Sequence, residues 1–139
     1  MLLTKKKKYI PWGRTLTTQD NYLGKSKTNS KKKRPVAVVD TNGLDLAVVP
    51  LSSKKGANRT ELKKHNNKKT GQKTYYKHYL EIEDNEGKPI RVNDKFKENH
   101  KNMDLSKRDI DDIRKTIFVI SKQKQRNNNI YNKFKNRYK

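Results

Sequence analysis

The sequence predicts a mainly β protein with a C-terminal helix, an α+β fold around a small core. Its apolar residues are concentrated at 34–53, where two β-branched runs flank an Asn-Gly pair typical of a tight hairpin turn. Two further short segments, at 75–82 and 89–92, flank a polar turn and read as a second strand pair. Isoleucines at helical spacing follow from residue 110, which places the helix late in the chain.

Composition limits the size of that core. Of 139 residues, 29% are hydrophobic and 36% are charged. A chain this polar cannot bury all of its length, so we expect an ordered core of roughly 75–85 residues within one domain at 32–120. The basic flanks at 1–31 and 121–139 are expected to be disordered or to become ordered on a partner.

The net charge of +22 arises from 36 Lys and Arg residues against 14 Asp and Glu residues. A field of this strength favours polyanions, so the expected partners are RNA, DNA, an anionic membrane or an acidic protein. The acids are concentrated at 81–112, whereas the cations dominate both flanks and the connection at 54–77. This segregation indicates a basic binding face or basic arms around a nearly neutral core.

Cysteine is absent, which excludes disulfide and thiolate chemistry. Leu2 and Leu3 run directly into Lys5–Lys8, so the apolar start is too short for a signal peptide. No apolar run is long enough to span a bilayer. These observations predict a cytoplasmic protein without a membrane span.

Residues 1–33 are expected to be mostly non-globular. Trp12 is expected to plug the small core, with base stacking as the alternative role. Val36–Val39 is predicted to be a strand covered on both faces, Asn42-Gly43 the centre of the turn, and Leu44–Leu51 the second strand.

Residues 54–74 are expected to form a long polar connection with at most one helical turn near 60–64. A strand at 75–82, a turn at 83–87 and a short strand at 89–92 are predicted to follow.

Ser106 is the predicted N-cap of the helix, because Asp109 stands three residues later, and the helix is expected to run to about Phe118. In the C-terminal tail, Ile130, Tyr131, Phe134 and Tyr138 have helical spacing. The tail is therefore expected either to fray or to form a basic amphipathic helix that orders on RNA, a membrane surface or a partner.

The three histidines, His65, His78 and His100, have no metal-ligand spacing, and no Gly-rich phosphate loop is present. His78 lies beside tyrosines in a predicted strand, where a packed or surface histidine is expected. The sequence therefore predicts neither a metal site nor a cofactor.

One arrangement of residues points to phosphate chemistry. Arg34 precedes the first strand of the hairpin and Ser52 and Ser53 end the second, so the turn brings them to the same end. A guanidinium and a hydroxyl there could bind phosphate and stabilise the phosphorane of metal-independent RNA cleavage. Alternatively, Arg34 only binds phosphate and the serines cap the strand. The cations expected to extend this nucleic-acid-binding surface are Lys31, Lys32, Lys33, Lys54, Lys55, Arg59, Lys63 and Lys64.

Arg34-Pro35 before an apolar strand, with a second strand ending in Pro50-Leu51-Ser52-Ser53, resembles the core of the MazF/PemK-like toxins. The specific part of the resemblance covers 34–53. Over about 32–118, the order of the predicted strands and the helix also matches that of the family. It implies a small SH3-like β-barrel, a homodimer, metal-independent endoribonuclease activity and neutralisation by an antitoxin, here an acidic one. It also implies that Arg34 is the catalytic arginine and Ser52 the catalytic hydroxyl.

The leading functional hypothesis is therefore an RNA-binding protein that cleaves RNA without a metal. The second is a non-catalytic binder of nucleic acid or nucleoprotein. Such a binder would be an accessory factor of a mobile element or an inhibitor of a nucleic-acid-handling machine such as a CRISPR effector. The third is a protein-only module whose basic surface meets an acidic antitoxin or a membrane.

Overall fold

The fold is a mainly β arrangement, seen in a computed structural model that describes residues 10–25, 28–66, 73–120 and 124–137. The strands in this part of the chain are β1 (Thr15–Gln19), β2 (Lys33–Asn42), β3 (Asp45–Ser52), β4 (Arg59–Asn66), β5 (Lys73–Lys77) and β6 (Lys97–Glu98). They form one antiparallel open sheet in the order β4-β5-β3-β2-β1-β6. The helices are α1 (Lys107–Arg114), continued by a π-helical segment (Lys115–Ile120), and α2 (Lys124–Asn136). The predicted α+β class is confirmed, whereas the SH3-like barrel stays a prediction.

The central hairpin of β2 and β3 is confirmed, with its turn one residue later than predicted. Asn42 pairs with Asp45, so Gly43 and Leu44 are the two central residues. Gly43 has a φ of 62°, the left-handed conformation that a two-residue hairpin turn requires at its first central position. The register shifts between Val38 and Asp40, where a bulge redirects β2 towards the turn.

Both faces of this hairpin are buried, which explains why its strands read as continuous apolar runs. The face that packs against the helices carries Ala37, Val39, Ala47, Val49 and Leu51. The opposite face carries Val36, Val38, Leu46 and Val48, and is covered by Ile10, Leu16, Leu23, Ile90 and Phe96. The core therefore lies on both sides of β2 and β3.

The N-terminal segment differs from the predicted flexible arm. Residues 15–19 form β1, which pairs with β2 and buries Leu16 against the core. Its Thr-Leu-Thr-Thr sequence offers one apolar residue, so composition alone did not predict a strand. Trp12 is not the expected plug, because 49% of it is exposed and the Arg114 guanidinium lies 4.0 Å over its ring. Residues 1–9 lie outside the described part of the chain.

The connection at 54–74 also differs from its prediction. Instead of a helical turn, its residues 59–66 form β4, which pairs with β5. The predicted strand at 75–82 is limited to its first residues, since β5 ends at Lys77. The turn before Gly87 is confirmed, but 89–92 contributes an isolated bridge between Glu83 and Pro89 rather than a strand.

The C-terminal helices complete the helical layer. Ser106 is the N-cap of α1, and its hydroxyl oxygen accepts a hydrogen bond from the Asp109 backbone N–H at 3.1 Å, as predicted. The tail forms the helix that its spacing suggested, but α2 packs on the protein's own core through buried Phe134. Two of its cations pair with carboxylates, Lys133 with the half-buried Glu83 at 3.3 Å and Lys135 with the buried Asp40 at 3.1 Å, and Arg137, directly after the helix, pairs with the buried Asp45 at 3.3 Å. Among the described helices, none is long and apolar enough to cross a membrane.

Candidate phosphate-binding site

The hairpin register brings both predicted catalytic residues to one end of the sheet. The β2–β3 pairing ends at Val36 and Pro50, two residues from Arg34 and Ser52, and the Arg34 Nη1 donates to the carbonyl of Leu51, the neighbour of Ser52, at 2.8 Å. Arg34 and Ser52 both border a cavity of about 200 Å³, whose wall also includes Lys32, Lys33, Ser53 and Lys73. The predicted proximity of the arginine and the serine to each other is therefore observed.

The Arg34 guanidinium is held by a carboxylate from the N-terminal segment. Its Nε donates to Asp20 Oδ1 at 2.6 Å, its Nη2 to Asp20 Oδ2 at 3.2 Å and its Nη1 to the Leu51 carbonyl at 2.8 Å. The two side chains are 14% and 12% exposed. This bidentate pair fixes the guanidinium plane and leaves two of the five N–H donors for a ligand.

Ser52 is bonded to a different arginine. Its hydroxyl oxygen accepts hydrogen bonds from Arg59 Nη1 at 3.0 Å and from the Lys54 backbone N–H at 3.1 Å. Arg59 Nη1 also donates to the Lys54 carbonyl at 3.0 Å. The described contacts include no hydrogen bond between Arg34 and Ser52. The guanidinium at the serine is therefore Arg59, which the sequence indicated only as a binding residue.

A histidine that could act as a base lies in another environment. His78 Nε2 is 2.7 Å from Thr60 Oγ1, and its ring is tilted against Tyr76 with the centroids 5.7 Å apart. Burial lowers the pKa of His78, so the ring is neutral at neutral pH. This environment fits a packed histidine.

The predicted binding lysines form an exposed basic rim, by which we mean Lys31, Lys32, Lys33, Lys54 and Lys55. They lie where β2 begins and where β3 has ended, beside exposed Ser53. Among the described residues, none of these five ammonium groups forms an ion pair. Lys133 and Lys135 of α2, by contrast, are paired with carboxylates, so the rim differs from them in presenting unpaired positive charge to the solvent. Lys63 and Lys64 belong to β4, but their side chains lie outside the described residues.

Two residues beside the site were not assigned a function from the sequence. Lys77 lies directly across from Arg59 in the β4–β5 pairing. Burial lowers the pKa of Lys77, and the nearby guanidinium groups of Arg34 and Arg59 lower it further. Burial, followed by the Glu81 carboxylate, raises the pKa of Tyr79 to about 12. Polarity alternation placed Lys77 on a face with Tyr75, but the strand that supplies Arg59 was not predicted.

The raised pKa values of two tyrosines make the stability of the protein depend on pH in alkaline solution. Tyr76 and Tyr79 have folded-state pKa values of about 12, above the ordinary value of 10.0. Between these values the unfolded chain loses protons that the folded protein keeps, so the contribution of these two tyrosines to stability is constant below pH 10 and falls as the pH rises towards 12. Urea midpoints at pH 9 and 11 should show this fall, and Tyr79→Phe should make it shallower. An identical fall in the variant would contradict the assignment.

Comparisons with known proteins do not place this site in a family. Protein-family models, curated proteins and solved structures each give no match to the chain. The resemblance of 34–53 to the MazF/PemK-like toxins therefore stays a prediction. The described residues contain no group of three or more His, Cys, Asp or Glu side chains suited to a metal ion.

Proposed function

We propose that this protein binds RNA through its phosphate backbone, using the basic rim at the Arg34–Ser52 end of the sheet. The observation that carries the proposal is the set of five exposed lysines that form no ion pair within the described part of the chain, beside a cavity of about 200 Å³. Lysines in such a cluster neutralise successive phosphates and release counterions, which is the main source of affinity for nucleic acid. The resemblance to the toxins favours RNA over DNA.

Metal-independent cleavage is the second candidate, supported by the presence of Arg34 and Ser52 in the wall of one cavity. Binding is placed first because Asp20 neutralises Arg34 and because the Ser52 hydroxyl is engaged by Arg59. Cleavage in EDTA with 2′,3′-cyclic phosphate products would establish the second candidate. A homodimer, an acidic antitoxin and a cytoplasmic location are further expectations of this proposal.

The rim can be tested with two variants of equal charge. Changing Lys31, Lys32, Lys33, Lys54 and Lys55 together to Gln is expected to weaken binding of a single-stranded RNA at least tenfold, because five phosphate contacts are lost. The salt dependence should fall as well, by up to about 0.7 in log–log slope per lysine removed. Fluorescence anisotropy over a series of NaCl concentrations measures both quantities.

The matched control removes the same charge from other surfaces. The substituted residues are Lys88, Lys97, Lys107, Arg108 and Lys115, which are exposed and lie outside the cavity wall. This variant should keep most of the affinity and the slope. Equal losses in both variants would show that net charge, rather than the rim, determines binding.

A further inference from the structure

Lys77 is a half-buried cation beside the candidate site. It ends β5, directly across the sheet from Arg59. Among the described residues its ammonium group has no hydrogen-bond or ion-pair partner. Its situation differs from that of the exposed rim lysines, which water can solvate freely.

The surroundings of Lys77 add positive charge. Ser52 pairs with Tyr75 and Arg59 pairs with Lys77, so Ser52, Arg59 and Lys77 lie on one face of the sheet. Burial lowers the pKa of Lys77, and the guanidinium groups of Arg34 and Arg59 lower it further.

The nearby carboxylates of Asp20 and Glu81 are engaged elsewhere, since Asp20 accepts two hydrogen bonds from Arg34 and Glu81 accepts one from the Lys25 backbone N–H at 2.9 Å. A partly desolvated cation among cations is unfavourable unless an anion compensates it.

We infer that Lys77, Arg59 and Arg34 together bind one phosphodiester group of the RNA, next to Ser52. This inference rests on the proposed function and names the residues that hold one particular phosphate. Arg59 offers a planar fork of donors, Arg34 offers its two remaining N–H groups, and Lys77 supplies a point charge. The rim lysines would each add a solvent-exposed contact to a phosphate, whereas this cluster would fix the position of one phosphate and thereby the register of the RNA backbone.

Uridylyl-(3′–5′)-uridine is a suitable probe because it contains a single phosphodiester, and uridine is its uncharged control. NMR titration of the backbone amides measures its binding. Lys77→Gln should weaken it by about tenfold, the value of one charge-assisted hydrogen bond to phosphate. Lys77→Arg should retain most of the affinity. Lys97→Gln, an exposed change in β6 at the opposite edge of the sheet, should have no effect.

The unliganded protein gives an independent readout. Because Lys77→Gln removes a half-buried charge that has no hydrogen-bond or ion-pair partner among the described residues, it should raise the melting temperature of the free protein by about 1–3 °C. A lower melting temperature would overturn the view that the ammonium group lacks a counterion.

The failure of this inference is separable from failure of the proposed function. RNA binding that depends on the rim, with dinucleotide binding unchanged in Lys77→Gln, would overturn the inference alone. Dinucleotide binding that depends on Lys77, without rim-dependent RNA binding, would support the anion site and overturn the proposed function. Binding of neither ligand would overturn both.

Discussion

Phe134→Ala is expected to lower the free energy of unfolding by about 3–5 kcal/mol, the usual cost of removing a buried phenyl ring. Phe134 is 0% exposed and packs in the cluster that contains Ile113 and Ile117. Among the described residues of α2, it is the apolar side chain that is fully buried in the cluster shared with the sheet. Its truncation would leave a cavity between the helix and the core, and α2 has few other apolar residues to close it.

Urea unfolding monitored by the single tryptophan measures this effect. Asn132→Ala is the control, because Asn132 is exposed on the same helix and its change should cost less than about 0.5 kcal/mol. A similar small cost for Phe134→Ala would show that α2 is a dispensable tail. The expected result implies that deleting residues 121–139 removes part of the fold, so loss of RNA binding in such a deletion would not identify a binding arm.

The acids of the core explain why a helix so rich in cations docks on its own protein. Asp40 and Asp45 are almost completely buried; Asp40 pairs with Lys135 near the end of α2, and Asp45 pairs with Arg137, directly after the helix, and with Arg91. Asp40 also accepts a hydrogen bond from the Tyr131 hydroxyl. These contacts compensate buried carboxylates that would otherwise be costly. The two α2 cations whose side chains the structure describes, Lys133 and Lys135, are therefore paired within the protein, whereas no rim lysine forms an ion pair among the described residues.

Local patterns in the sequence predicted the parts of the fold that local chemistry determines. The central hairpin followed from its apolar runs and its Asn-Gly pair, and the start of α1 followed from Ser106 and Asp109. The strands β1 and β4 did not follow, because few of their residues are apolar and neighbouring strands stabilise them. Sequence alternation alone does not reveal such strands.

The candidate site was predicted in part for the same reason. The proximity of Arg34 and Ser52 depends on one hairpin, whose register the turn determines. The Asp20 carboxylate reaches Arg34 through the β1–β2 pairing, and Arg59 reaches Lys77 through the β4–β5 pairing. Both contacts are non-local, so their effect on the chemistry of the site becomes visible only in the fold.

Arg34→Ala is expected to destabilise the protein by about 3 kcal/mol, because it leaves the mostly buried Asp20 carboxylate without its bidentate partner. The substitution also removes the hydrogen bond to the Leu51 carbonyl. Chemical denaturation of Arg34→Gln, Asp20→Asn and the double variant measures the pair directly. We expect a coupling energy of about 2 kcal/mol, with the double variant more stable than the sum of the single changes predicts.

This double-mutant cycle of Arg34 and Asp20 also determines how a cleavage experiment with Arg34 variants is interpreted. Inactivity of Arg34→Ala would follow equally from lost chemistry and from a collapsed site, whereas the double variant keeps the site closer to its folded form. If RNA is cleaved, cleavage absent from a folded Asp20→Asn/Arg34→Gln protein but present in Asp20→Asn would assign the chemistry to Arg34. Additive single changes would instead show that Asp20 does not hold the guanidinium, and Arg34 would then be free to contact phosphate with all of its donors.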